Sequence, residues 1–379
     1  MKPDPVAYLH DFRPLAVGVP LAQTDLAAWL KRALTRTRGG RLDAQARRAL
    51  SLYDRLGRGG AIQTRVSAHA DFSRLDARKM TLFKAEADAS WHRPTLQARM
   101  RVYEETVLRL AGRAFPPGER APDYAVQVSC TGYASPHAIQ RVVSRRGWDS
   151  RVLHVGHMGC YAAVPAAAMA AKLVRGEAAT GRARARVALF LAELCTLHLK
   201  PGAAADEQVV VNSLFADGAI RFDVGAAPAA RALALLDSAE EILPGSEHEM
   251  TWRLQDSSFE MTLSRAVPSL VGGAVAGFAK RFLRRSGLRL SDVARFAIHP
   301  GGPLVIDQVL KALALPKDAA RHSRDLLRRR GNMSSTTLPH VWGEMLGDPG
   351  VRDGELILSL AFGPGLTLVA NLLRARKRR

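Results

Sequence analysis

The chain has 379 residues, 47% of them hydrophobic and 24% charged, with a formal net charge of +20. The length is too great for one small core and suits two intimately packed halves or one large α/β domain. The composition is that of a folded globular protein, and Cys130, Cys160 and Cys195 form no CxxC pair, which excludes a disulfide framework and fits a reducing cytoplasm. The charge surplus, mostly arginine, reads first as a compositional bias spread over solvated faces. Its functional readings are an acidic carrier protein, a phosphorylated acyl donor, a membrane surface or nucleic acid. Nucleic acid is the weakest of these, because no zinc-finger spacing, RNP-like motif or basic stripe interleaved with aromatics is present. The first residues lack the apolar core of a signal peptide.

In chain order, residues 5–20 read as a strand and its loop. Residues 21–56 have helical spacing broken at Gly39-Gly40, and residues 94–114 form a helix entered through Pro94. An apolar strand at 124–129 leads through a turn at 132–136 into a helix. A strand at 151–155 runs into Gly156-His-Met-Gly-Cys160 and an Ala-rich helix at 161–174. A buried strand at 184–194 and residues 208–214 precede the strand 219–224. After Gly225-Ala-Ala-Pro-Ala229 the pattern restarts, which sets the expected boundary between halves 1–224 and 225–379. Strands at 232–237, 249–254 and 259–263 come next, then a helix at 267–283, a strand before His299, helices at 304–313 and 319–330, and a further helix after Asn332. The longest apolar run, 356–373, is cut by Gly363-Pro-Gly365 and reads as a closing hairpin rather than a membrane span. The basic run 374–379 reads as a disordered terminus. The whole is an α/β alternation with mixed sheets, carried out twice.

Three settings carry chemistry. Cys160 stands where a strand turns into a helix, and a helix N-terminus favours a thiolate. His299 precedes Pro300-Gly-Gly-Pro303, a stiff loop able to aim a ring. Asn332 precedes Met333-Ser-Ser335, where it could cap a helix or donate its amide to a substrate. A thiol, an imidazole and a carboxamide suit thioester exchange and would hold an enolate oxygen. His154 and His157 lack acidic partners, so no metal site is expected. There is no GxGxxG, P-loop or GxSxG pattern.

The stretches Val128-Ser-Cys-Thr-Gly-Tyr-Ala-Ser-Pro136, Met158-Gly-Cys-Tyr-Ala-Ala163, Ser213-Leu-Phe-Ala-Asp-Gly218, Ala297-Ile-His-Pro-Gly-Gly-Pro303, Gly331-Asn-Met-Ser-Ser335 and Phe362-Gly-Pro-Gly-Leu366 are collinear. With them the chain resembles the chalcone-synthase-like type III polyketide synthases. The resemblance implies a five-layered αβαβα thiolase-like fold with two duplicated halves and an intimate homodimer. It implies an acyltransferase that condenses an acyl thioester, aliphatic or β-ketoacyl, with malonyl thioester by decarboxylation. An α-pyrone or resorcinol would be released. Cys160 would carry the acyl chain, with His299 and Asn332 as partners. Phe215 falls at a gatekeeping phenylalanine, and Met261 stands where a second is usual. Phe362, Gly363 and Pro364 fall on the loop that shapes the cavity floor. Cys130, Cys195 and His198 are expected to line the pocket, His198 at a position usually small or aliphatic. Arg55 and Arg58 lie near the basic contacts for coenzyme A. No cofactor beyond the acyl-CoA and malonyl-CoA substrates is implied, and no transmembrane segment. An acyl carrier protein is the alternative donor, and a degenerate subunit or basic-surface binder the non-enzymatic alternative. Pro165 falls in the first turns of the Cys160 helix, where its missing N–H costs little.

Overall fold

Strands buried on both faces are near-continuous apolar runs, and this chain builds its centre from several of them. The structure, a computed structural model, describes residues 7–73, 75–76, 78–84 and 94–377. In chain order the first part runs β1 (Ala7–Leu15), β2 (Val19–Ala22), α1 (Gln23–Thr37), α2 (Ala44–Gly57), β3 (Thr64–Ser67), α3 (Leu96–Ala114), β4 (Tyr124–Ser129), α4 (Ala138–Arg146), β5 (Arg151–Gly156), α5 (Ala163–Ala179), β6 (Arg186–Leu194), α6 (Asp206–Leu214) and β7 (Asp217–Gly225). The second part runs β8 (Arg231–Ile242), β9 (Met250–Leu254), β10 (Phe259–Leu263), α7 (Val267–Arg285), β11 (Arg295–Ile298), α8 (Pro303–Ala312), α9 (Arg321–Arg330), α10 (Thr337–Gly347), β12 (Leu356–Gly363) and β13 (Thr367–Lys377).

Nine strands form one mixed sheet in the order β11-β12-β13-β8-β1-β7-β6-β4-β5. Strands from before residue 226 occupy one side and later strands the other. They meet where Ala7, Tyr8 and Leu9 pair antiparallel with Leu235, Ala234 and Leu233. Two small two-stranded sheets, β2-β3 and β9-β10, stand apart.

Alternation along the strands generates the layers. In β6, Val187, Leu189 and Leu191 face a core with the alanines of α5 and with Leu338, Val341 and Trp342 of α10. Ala188, Phe190 and Ala192 face the opposite way, onto α1, α2, α3 and α4. In β13, Val369 and Leu373 share the α5 and α10 core, while Leu368, Ala370 and Leu372 pack under α7 and α8. Helices α5 and α10 are therefore gripped by sheet on both sides, giving the αβαβα stack. Helix α5 meets the sheet through small side chains, with Ala163, Ala166, Ala167, Ala170 and Ala171 all buried.

Local expectations meet several corrections. The break at Gly39-Gly40 is real, both glycines having positive φ, but strand β3 has no counterpart in the reading of the sequence. The basic terminus is not disordered as far as Lys377: β13 continues through Arg374 and Arg376, paired with β8. Arg376 also donates to the Ala229 carbonyl and lies over the Tyr8 ring. Met1 to Val6, Arg378 and Arg379 lie outside the described residues. Pro165 is the third residue of α5. The Tyr161 carbonyl accepts from the Val164 N–H instead, so no helical hydrogen bond is lost there. Among the described residues, no helix is long and apolar enough to cross a membrane.

Candidate active site

Three chain segments converge beside the inner ends of the strands. The first follows β5. His157 and Gly159 both have positive φ, and Cys160 sits in the turn just before α5. Glycine is required at 159 for a second reason: a Cβ there would lie 2.7 Å from Cδ of Pro364. The second segment follows β11, where the His299 N–H donates to the Leu360 carbonyl at 2.7 Å. The third follows α9 through Gly331, whose φ is +72°. Asn332 there forms a bridge with Phe215: its N–H donates to Leu214 O at 3.0 Å and its carbonyl accepts from Ala216 N at 2.8 Å.

The Asn332 side chain ties these segments together. Its Oδ1 accepts from the Ser334 N–H at 2.9 Å, which orients the amide. Its Nδ2 reaches the Gly301 carbonyl at 3.4 Å and the Cys160 sulfur at 4.0 Å. The amide thus spans from the thiol to the loop that carries His299. His299 is buried, and neither ring nitrogen has a hydrogen-bond partner. Buried imidazole nitrogens are ordinarily satisfied, so a ring with both free can serve a substrate.

Burial sets the protonation states. The Cys160 thiol is pushed up to about 12, chiefly by desolvation, against hydrogen bonds from Ser334 and Asn332 that favour the thiolate. Loss of water runs against the expectation of a thiolate favoured by the helix start, since Cys160 lies in the turn and α5 begins only at Ala163. Desolvation pushes His299 down to about 3. The empty site holds a thiol and a neutral imidazole.

A cavity of about 30 Å³, room for roughly two waters, opens beside Cys160. Of the residues singled out from sequence, Cys130, Cys195, His198, Phe215, Met261 and Pro364 line it. Phe362 belongs to the apolar cluster that also holds Cys160, Cys195 and Phe215, and Gly363 lies against the Tyr161 ring. Neither is part of the cavity lining, to which the turn after β12 contributes Pro364. Arg55 and Arg58 are exposed at the end of α2, away from the cavity lining. Helix α2 packs on α6, which contributes Gln208, Val211 and Asn212 to the wall.

Three features escaped the sequence reading. Glu193, fully buried, accepts from Cys130 N at 3.0 Å, from Thr131 Oγ1 at 2.9 Å and from the Ser335 hydroxyl. Burial raises its pKa. Its signal was available: one carboxylate in the otherwise apolar run of β6. Trp252 and Phe259, on the β9–β10 hairpin, cover the cavity, and nothing local marks them. Among the described residues, no group of three His, Cys, Asp or Glu could hold a metal ion.

Comparison with known proteins follows this geometry. Residues 234–376 match the family of chalcone and stilbene synthases, C-terminal domain. The chain is 29% identical over 321 residues to the alpha-pyrone synthesis polyketide synthase-like Pks18 of Mycobacterium tuberculosis, covering 78% of each. It is 26% identical over 291 residues to the 1,3,6,8-tetrahydroxynaphthalene synthase of Streptomyces griseus, covering 72% of this chain and 74% of that one. The crystal structure of 1,3,6,8-tetrahydroxynaphthalene synthase from Streptomyces coelicolor, a bacterial type III polyketide synthase, superposes with a TM-score of 0.81 at 22% identity. The match covers 97% of this chain and 99% of that one.

Proposed function

We propose that this chain is a chalcone-synthase-like type III polyketide synthase, in which Cys160, His299 and Asn332 perform a decarboxylative Claisen condensation. The observation that carries the reading is the Asn332 amide, within 4.0 Å of the Cys160 sulfur and 3.4 Å of Gly301 O, beside a buried imidazole with no partner.

In the loading step the Cys160 thiol gives its proton to His299 as the sulfur attacks an acyl thioester. The new S–C bond forms, the donor's C–S bond breaks, and the donor leaves as a thiol with the proton from His299. A malonyl thioester then loses carbon dioxide. The electron pair of the broken C–C bond becomes an enolate, whose oxygen is held by the Asn332 amide and the His299 N–H. The enolate carbon attacks the Cys160 thioester, and the sulfur departs. Neutral partners at rest suit this order, since the charged pair then forms only when an acyl donor fills the site.

The acyl group is aliphatic or β-ketoacyl, and the product an α-pyrone or resorcinol. The likeness to a relative named for alpha-pyrone synthesis supports this. The reaction uses acyl-CoA and malonyl-CoA as substrates and needs no cofactor. Arg55 and Arg58, exposed beside α6, suit the donor's phosphates. Strand β5 ends the sheet with a half-buried, unpaired edge, which suits pairing with a second copy in a homodimer. The +20 charge supports a second reading of the donor as an acidic acyl carrier protein. Acyl-CoA and acyl-carrier rates that stay equal as salt is raised would remove that reading.

The experiment is release of labelled carbon dioxide from malonyl-CoA. His299→Ala and Asn332→Ala should each lower it about 10²- to 10³-fold. Release at the wild-type rate in both variants contradicts the assignment.

A further inference from the structure

The end of α6 and the segment that carries Asn332 rest on one buried cation. A helix C-terminus leaves its last carbonyls without partners inside the helix. At the end of α6 these carbonyls are met by three different donors. Arg65 Nη1 donates to Asn212 O at 2.7 Å, Gln23 Nε2 to Ser213 O at 2.9 Å, and the Asn332 N–H to Leu214 O at 3.0 Å. The next carbonyl, Phe215 O, accepts from Arg65 Nη1 again, at 2.8 Å. Arg65 Nε donates to Gln23 Oε1 at 2.8 Å, which joins the two side chains into one clamp.

Both clamp residues are buried, Arg65 to 1% exposure and Gln23 to 2%. Among the described residues, the hydrogen bonds of Arg65 all go to neutral oxygens, and Asp217 acts on it only through its field. Burial lowers its pKa to about 10, which leaves it a cation at neutral pH. A buried cation without a paired carboxylate is costly to keep, and the negative end of the α6 dipole offsets only part of that cost. The same residue underlies the other side of the bridge between Phe215 and Asn332. A Cβ at Gly331 would lie 2.8 Å from Arg65 Cγ, so Gly331 sits on the Arg65 stem. Strand β3 is in turn tied to the end of α9, where the Gln63 N–H donates to Arg328 O at 2.8 Å.

We propose that Arg65 is a positioning residue for the decarboxylation step, holding the Asn332 amide where the enolate oxygen forms. The inference rests on the reading of Asn332 as a donor to that oxygen, and it adds to the machinery a residue outside the cavity lining. Arg65 contacts both chain segments of the bridge, so neither can shift without disturbing it. A misplacement of about 1 Å at a catalytic group costs about 10²-fold in rate. The planar guanidinium reaches Gln23 and two carbonyls at once. A lysine ammonium, a point charge on a flexible stem, cannot hold that fork.

The test is release of labelled carbon dioxide from malonyl-CoA by the full-length protein, run as a double-mutant cycle with Asn332→Ala. Arg65→Lys should lower kcat about 10- to 10²-fold with KM for malonyl-CoA within about threefold, and Gln23→Leu should lower kcat about three- to tenfold. In the Asn332→Ala background each should lower release by less than about twofold further, because no amide is left for the clamp to position. A general loss of folded protein lowers release by the same factor in both backgrounds. Equal factors therefore overturn the proposal, as does an unchanged kcat in Arg65→Lys. If Arg65→Lys does not fold, Gln23→Leu taken through the same cycle decides the matter by the same two outcomes. Release at the wild-type rate in Asn332→Ala alone has a different signature and overturns the reading of Asn332 itself.

Discussion

At the residue scale, the resting site is uncharged because it is dry. Cys160 and His299 are each almost wholly buried, and each is shifted toward its neutral form. Alkylation of Cys160 in the empty protein should therefore rise steadily between about pH 7 and about pH 10, beyond the midpoint of about 8.5 for a free cysteine. Peptide mass spectrometry after brief iodoacetamide treatment measures this. A plateau reached near neutral pH would mean a standing thiolate and contradict the account. Cys160 and Asn332, two of the three proposed catalytic positions, stood out in the sequence because unusual backbone lies beside each. Gly159 lies under Pro364 and Gly331 has positive φ against the Arg65 side chain, so both glycines mark their neighbours in the sequence. Glu193 was legible only as an isolated carboxylate in the apolar run of β6, and Trp252 was not legible as a site residue. Their importance comes from what β4 and the β9–β10 hairpin bring together, and no spacing within their own segments encodes those contacts.

At the element scale, helix α5 is the most constrained piece. The helix packs against β6, β1, β7, β8 and β13, and its alanines are buried in that core, which leaves a larger side chain little room to move. Ala170→Leu should destabilise the protein by about 1–3 kcal/mol, measured as a lowered denaturant midpoint. An unchanged midpoint would show that the central layer is looser than its packing implies. Continuous apolar runs made the strands 124–129 and 184–194 and the hairpin 356–373 readable. Short β3 was not readable, since four residues without a long apolar run carry little pattern. It matters all the same. Arg65 on β3 is fully buried, donates to Phe215 O at 2.8 Å and to Asn212 O at 2.7 Å, and so fixes the strand start that bridges Asn332. The basic terminus is ordered as far as Lys377 for the same tertiary reason: β8 supplies a partner strand to residues 374–377.

At the scale of the whole molecule, the +20 charge does not act through the core. Many arginines end in exposed ion pairs such as Arg281 with Glu241 and Arg329 with Glu344, and such pairs contribute little to stability. Acid sensitivity should come instead from buried histidines. Burial lowers His198 and His299 to about 3, and His137 and His340 to about 4. Unfolded histidine titrates near about 6.5, so the unfolded chain binds protons first as pH falls. Stability contributed by these groups is complete above about 6.5 and is lost on descent toward the folded values. Asp217, raised to about 6 by burial, works in the opposite sense over the upper part of that window. His340 is not part of the cavity lining, and His340→Gln should therefore flatten the fall in denaturant midpoint between about pH 6.5 and about pH 4. An identical fall in both proteins would contradict this. The central claim is that one sulfur, on Cys160, carries the acyl chain. Intact-mass spectrometry after incubation with acyl-CoA donors tests it most directly. The account predicts a single acyl adduct on the wild-type protein, lost in Cys160→Ala and extended by two-carbon units when malonyl-CoA is added. An adduct that persists in Cys160→Ala, or none with any donor, would contradict it.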